Sequence, residues 1–106
     1  MEGFFLNFHK KYAGKIINIH PALLPKFGGK GMWGIHVHTA VIDAKEKESG
    51  ATVHFVTAGI DEGEIILQGK VAISEGDTPE KLAEKVHRVE YEIFPKAIKK
   101  VLEQIN

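Results

Sequence analysis

The sequence predicts a small α/β domain: a mixed or parallel sheet, one short helix, and a long C-terminal helix broken near Pro95. Three observations predict it. Apolar, β-branched runs recur at residues 15–20, 51–57 and 65–74. Apolar residues at three- and four-residue steps mark residues 35–45 and 77–105 as helical. The chain has 106 residues, which sets one domain as the default and leaves little core to spare.

Lys15 to His20 is the first predicted strand, apolar at Ile16, Ile17 and Ile19 and ended by Pro21. Residues 21–34 read as a loop, with Pro21, Pro25, Gly28, Gly29, Gly31 and Gly34. Val37, Ala40, Val41 and Ala44 then fall on one helical face. Ala51-Thr52-Val53-His54-Phe55-Val56-Thr57 is strand-like, and Gly59-Ile60-Asp61-Glu62-Gly63 is a turn. Residues 65–74 form a further strand, with a bend expected at Gly69. Asp77 or Thr78 can cap the last helix, Pro79 suits its first turn, and Leu82, Val86, Val89, Ile93, Ala97, Val101 and Ile105 repeat along it. Pro95 lies inside that repeat and should kink or divide the helix.

Composition narrows the function classes. Fourteen basic and fourteen acidic residues give no net charge, which argues against a nucleic-acid surface. No apolar run reaches the roughly 18–20 residues of a membrane span, and the first residues do not read as a signal peptide. The chain has no cysteine, so disulfides and thiolate metal sites are excluded and a cytoplasmic setting is expected.

The best candidate chemistry lies at the end of the first strand. Side chains two apart on a strand share a face, so Asn18 and His20 reach the same space. Asp61 lies in a glycine-flanked turn, from which a carboxylate could raise the pKa of an imidazole. An imidazolium and an amide can together donate to an oxyanion. The bland alternative is a satisfied structural histidine beside a turn-closing asparagine. His36, His38 and His54 supply further imidazoles, but His-x-His at a helix start diverges and no HExxH frame is present, so no metal site is expected. Gly28-Gly29-Lys30-Gly31 lacks the frame of a phosphate loop.

Four blocks in order carry a resemblance. They are Asn18-Ile19-His20-Pro21-Ala22-Leu23-Leu24-Pro25-Lys26-Phe27, Gly34-Ile35-His36-Val37-His38, Ser49-Gly50-Ala51-Thr52-Val53-His54-Phe55-Val56 and Asp61-Glu62-Gly63-Glu64-Ile65-Ile66-Leu67-Gln68. Together with Tyr91-Glu92-Ile93-Phe94-Pro95, they closely resemble the folate-dependent formyltransferases, and within them the branch that serves purine biosynthesis. The resemblance implies the C-terminal, catalytic half of the formyltransferase fold over residues 1–106, without the family's N-terminal Rossmann-like half. It implies formyl transfer from 10-formyltetrahydrofolate to the amine of glycinamide ribonucleotide. Asn18, His20 and Asp61 match the family's catalytic positions. Phe5, Leu6, Asn18, Thr57, Ala58, Gly59, Ile60 and Asp61 match places that hold the folate. Glu90 matches a substrate contact, and His36 a histidine near the site with a lesser role.

The family's substrate-phosphate loop lies in the half this chain does not represent, so turnover is expected to need it. Losing half a sheet should also expose Lys15 to His20 as an edge, inviting a homodimer or leaving a marginal monomer. Other implied readings are a sugar-nucleotide or methionyl-tRNA formyltransferase, and a non-catalytic folate-binding or split-enzyme module.

Overall fold

The computed structural model describes residues 3–6, 15–56 and 63–104. The elements are β1 (Gly3–Leu6), β2 (Lys15–His20), α1 (Ile35–Asp43), β3 (Glu48–Phe55), β4 (Ile65–Ala72) and α2 (Pro79–Glu103). The strands form one sheet in the order β1-β2-β3-β4. Each neighbouring pair is antiparallel, which corrects the expected mixed or parallel sheet. The connections explain the difference. Only residues 56–64 separate β3 from β4, and a parallel return needs a longer crossover. After β2, the loop and α1 bring the chain back to the end of the sheet where β2 left it, so β3 runs in reverse.

β2 is interior, paired with β1 on one side and β3 on the other. The expected exposed edge at Lys15–His20 is therefore not an edge, and a homodimer across it loses its basis.

β3 is buried along nearly its whole length, because both of its faces are covered. On one face, Ile17, Ala51 and Val53 meet Leu82, Val86, Ile93, Ala97 and Val101 of α2. The helix comes close because β4 carries glycine there: a Cβ on Gly69 would lie 2.6 Å from Val89 Cγ1 and 2.8 Å from Ile93 Cγ2. On the other face, a Cβ on Gly50 would enter the Gly69 carbonyl oxygen and crowd Leu23 of the loop after β2.

α2 begins as the residues dictate. Thr78 is the N-cap, its hydroxyl accepting from Lys81 N at 3.1 Å, and Pro79 follows in the first turn. The helix runs unbroken through Pro95, which corrects the expected break. Pro95 cannot bond the Tyr91 carbonyl, but both residues are exposed, so water can serve that carbonyl in place of the helix. Among the described residues, no helix is long and apolar enough to cross a membrane.

Candidate functional site

The β2–β3–β4 register builds a polar row on the sheet face away from α2. Asn18 stands opposite His54, His20 opposite Thr52, and Thr52 opposite Gln68. Cross-strand partners share a face, so Asn18 and His20 do reach the same space, as their spacing predicts.

His20 is fully buried. Its Nε2 donates to the Phe27 carbonyl at 2.7 Å. That bond keeps the proton on Nε2 and makes Nδ1 the nitrogen whose proton can come and go. Phe27 holds a left-handed φ of 56°, uncommon outside glycine, and so turns its carbonyl back onto the ring at the end of the loop.

The loop between His20 and Phe27 is tied down by two residues that sequence reasoning missed. Thr52 Oγ1 accepts from Leu24 N at 3.1 Å and donates to the Ala22 carbonyl at 2.7 Å. Gln68 Nε2 donates to the Leu24 carbonyl at 2.9 Å and to Thr52 Oγ1 at 3.0 Å. Thr52 is fully buried, so these bonds form away from competing water. The missed signal was the alternation of Thr52 with His54, which places both on one face but does not say what they oppose.

α1 contributes His38 rather than His36. His38 is buried, and its ordinary pKa of 6.5 is lowered first by burial and then by the charge of His20. It is therefore held neutral beside the catalytic candidate. His36 is exposed and packs edge-on against Trp33, with ring centroids 4.9 Å apart. Of the two α1 histidines, His38 is thus the one turned towards His20, while His36, which the resemblance matched to a histidine near the site with a lesser role, lies exposed.

Glu90 lies elsewhere. A mostly apolar cleft of about 770 Å³ opens between α1 and α2, lined by Ile19, Pro21, His38, His87, Glu90 and Phe94 among others. Ile19 alternates with Asn18 and His20, so the cleft lies across β2 from them and is joined to them around Pro21 and His38. Glu90 Oε2 is 3.0 Å from His87 Nδ1, and Tyr91 packs edge-on against the His87 ring at 4.6 Å.

Asp61 lies outside the described residues, as do Thr57, Ala58, Gly59 and Ile60. Phe5 and Leu6 pair through their backbones with Ile16 and Lys15, and their side chains are outside the described part. Among the described residues, no three His, Cys, Asp or Glu side chains are grouped to hold a metal ion.

Residues 6–98 match the family model described as "Formyl transferase". The chain is 44% identical over 93 residues to the chloroplastic phosphoribosylglycinamide formyltransferase of Arabidopsis thaliana, a match covering 88% of the chain and 32% of the relative. It is 42% identical over 92 residues to phosphoribosylglycinamide formyltransferase of Haemophilus influenzae, covering 87% of the chain and 41% of that protein. The crystal structure of phosphoribosylglycinamide formyltransferase from Anaplasma phagocytophilum aligns with a TM-score of 0.74 and 35% identity, over 83% of this chain and 40% of that one. The matches thus span about a third to two fifths of the length of these relatives.

Proposed function

The chain belongs to the formyl transferase family, and from that premise we propose that it forms the catalytic part of an enzyme transferring a formyl group to the amine of glycinamide ribonucleotide. The donor in this reading is 10-formyltetrahydrofolate. The observation that carries the proposal is the shared face of Asn18 and His20, with Nε2 of the ring fixed on the Phe27 carbonyl.

The chemistry follows from those positions. The substrate amine attacks the formyl carbon, and the carbonyl oxygen becomes an oxyanion. The Asn18 amide donates to that oxygen. His20, protonated at Nδ1 as well as Nε2, adds a second donor there or supplies the proton that the departing folate nitrogen needs. Asp61 is proposed to favour that charged ring, as a carboxylate near an imidazole does. His38 stays neutral, so it does not compete for the positive charge. The products are the formylated amide and tetrahydrofolate, and His20 recovers its proton from the attacking amine.

In this reading the cleft beside Glu90 takes the ribonucleotide, with the carboxylate accepting from its hydroxyl groups. His36, at the exposed start of α1, has at most a peripheral part. Phe5, Leu6 and residues 57–61 hold the folate. A loop outside this chain holds the substrate phosphate, and the cytoplasm is the compartment proposed.

Titration calorimetry of the purified chain with a 10-formyl-5,8-dideazafolate analogue tests the folate part. Saturable binding that is lost in His20→Ala supports it, and a folded chain that takes up no analogue rejects it. Offering glycinamide ribonucleotide, a sugar-nucleotide amine and methionyl-tRNA side by side, with the relatives' N-terminal portion supplied as a separate chain, tests the acceptor.

A further inference from the structure

His54 has no place in the chemistry above, yet it is buried, 2% exposed, in the row that carries Asn18 and His20. Its Nδ1 lies 3.0 Å from the Phe55 carbonyl. A carbonyl only accepts, so in the neutral ring Nδ1 carries the one proton. Nε2 is then a bare lone pair, and it has no hydrogen-bond partner. Directly across the ladder stands Asn18, whose Oδ1 is also buried without a partner. Opposed side chains on an antiparallel pair have Cβ atoms only about 5 Å apart. The register thus sets two orphaned acceptors side by side on one face, and a buried acceptor left unpaired is destabilising.

Half a turn of the Asn18 amide resolves both. The two orientations have the same shape, so packing does not change, but Nδ2 replaces Oδ1. We propose that His54 is a positioning residue: its Nε2 accepts one Nδ2–H of Asn18 and so aims the other at the reacting carbonyl oxygen. An asparagine amide has two N–H groups on one rigid plane. Fixing one fixes the direction of the other, which is the preorganisation an oxyanion donor needs. The hydrogen bond rests on the sheet register alone, and its consequence for catalysis rests on the formyl-transfer reading.

The test reads the bond itself in the uniformly ¹⁵N-labelled chain, with no substrate present. The expected result is a through-hydrogen-bond nitrogen–nitrogen coupling between Asn18 Nδ2 and His54 Nε2, with His54 protonated at Nδ1 only. Exchange of the Asn18 side-chain amide protons should quicken about five- to tenfold in His54→Leu, the size of one net hydrogen bond. His54→Gln, whose Oε1 can still accept, should restore slow exchange. Absence of the coupling, or a proton on His54 Nε2, overturns the proposal. So does a folded His54→Leu variant with unchanged exchange. Should His54→Leu fail to fold, the coupling in the unaltered chain decides. Folate binding plays no part in these readouts, so failure of the formyl-transfer reading would appear separately, in the calorimetry.

Discussion

The two faces of the sheet are held by different forces. Against α2, Ile17, Ala51 and Val53 meet Leu82, Val86, Ile93 and Ala97 in an apolar layer. Against the loop after β2, Thr52 and Gln68 make directional bonds to Ala22 and Leu24. Apolar burial is non-directional and scales with area, so the first face supplies most of the stability and tolerates swaps of similar volume. The second contributes less free energy but fixes where His20 and Phe27 sit. Stability and placement are thus assigned to opposite sides of the same strands.

Substitutions that strike one face should spare the other's readout. The largest effect is expected for Leu82→Ala, which empties a fully buried site on α2. It should lower the unfolding free energy by about 2–5 kcal/mol in urea, while the folded fraction keeps the His20 ring resonances unchanged. Next comes Thr52→Val, nearly the same shape without the hydroxyl. It strands the Leu24 N–H and should cost about 1–3 kcal/mol. Unlike Leu82→Ala, it should also move the Nε2–H resonance of His20, as the Phe27 contact loosens. Thr52→Ser should restore that resonance. If Thr52→Val leaves it unmoved, the division of labour between the faces fails.

The pH dependence of stability comes third. The His38 pKa is lowered in the folded chain, so the unfolded chain binds its proton first as pH falls. Its contribution is complete above the ordinary value of 6.5 and is lost as pH drops from there towards the folded value. Urea midpoints at pH 7.5 and pH 5.5 should therefore fall on acidification, with a slope of at most about 1.4 kcal/mol per pH unit from this group. His38→Gln should flatten that part of the profile. The smallest effect is expected for His87→Ala. Its partnership with Glu90 is largely exposed, so urea should register less than about 1 kcal/mol.

Much of the fold was legible because local chemistry decides it. Thr78 and Pro79 start α2 for reasons contained in those two residues, and the period of Leu82, Val86, Ile93, Ala97 and Val101 names its buried face. The pairing of Asn18 with His20 was legible because alternation along one strand is intrinsic to that strand. What crosses between strands was not. Nothing in the sequence sets Asn18 against His54, or Thr52 against Gln68, since a shift of one residue would reverse every face. The antiparallel sense of β2 and β3, and β1 alongside them, are likewise properties of the assembled sheet. That His38 rather than His36 is the buried one turned on the entry angle of α1. Gly34, at φ 55° and without a side-chain cap, sets that angle so that Val37, His38 and Val41 face inward. Pro95 misled because an interior proline removes one helix bond without ending the helix where, as here, both it and Tyr91 are exposed residues.

That proline leaves a mark on the cleft. Residue 95 has no N–H to offer, so the regular i+4 helix bond can never reach the main-chain oxygen of Tyr91, and Tyr91, Phe94 and Pro95 all line the cleft wall. The Tyr91 carbonyl is therefore an acceptor that the i+4 helix bond leaves open, encoded by the absence of a donor four residues on. Exchanging the side chain at position 91 cannot erase it; only replacing the proline can.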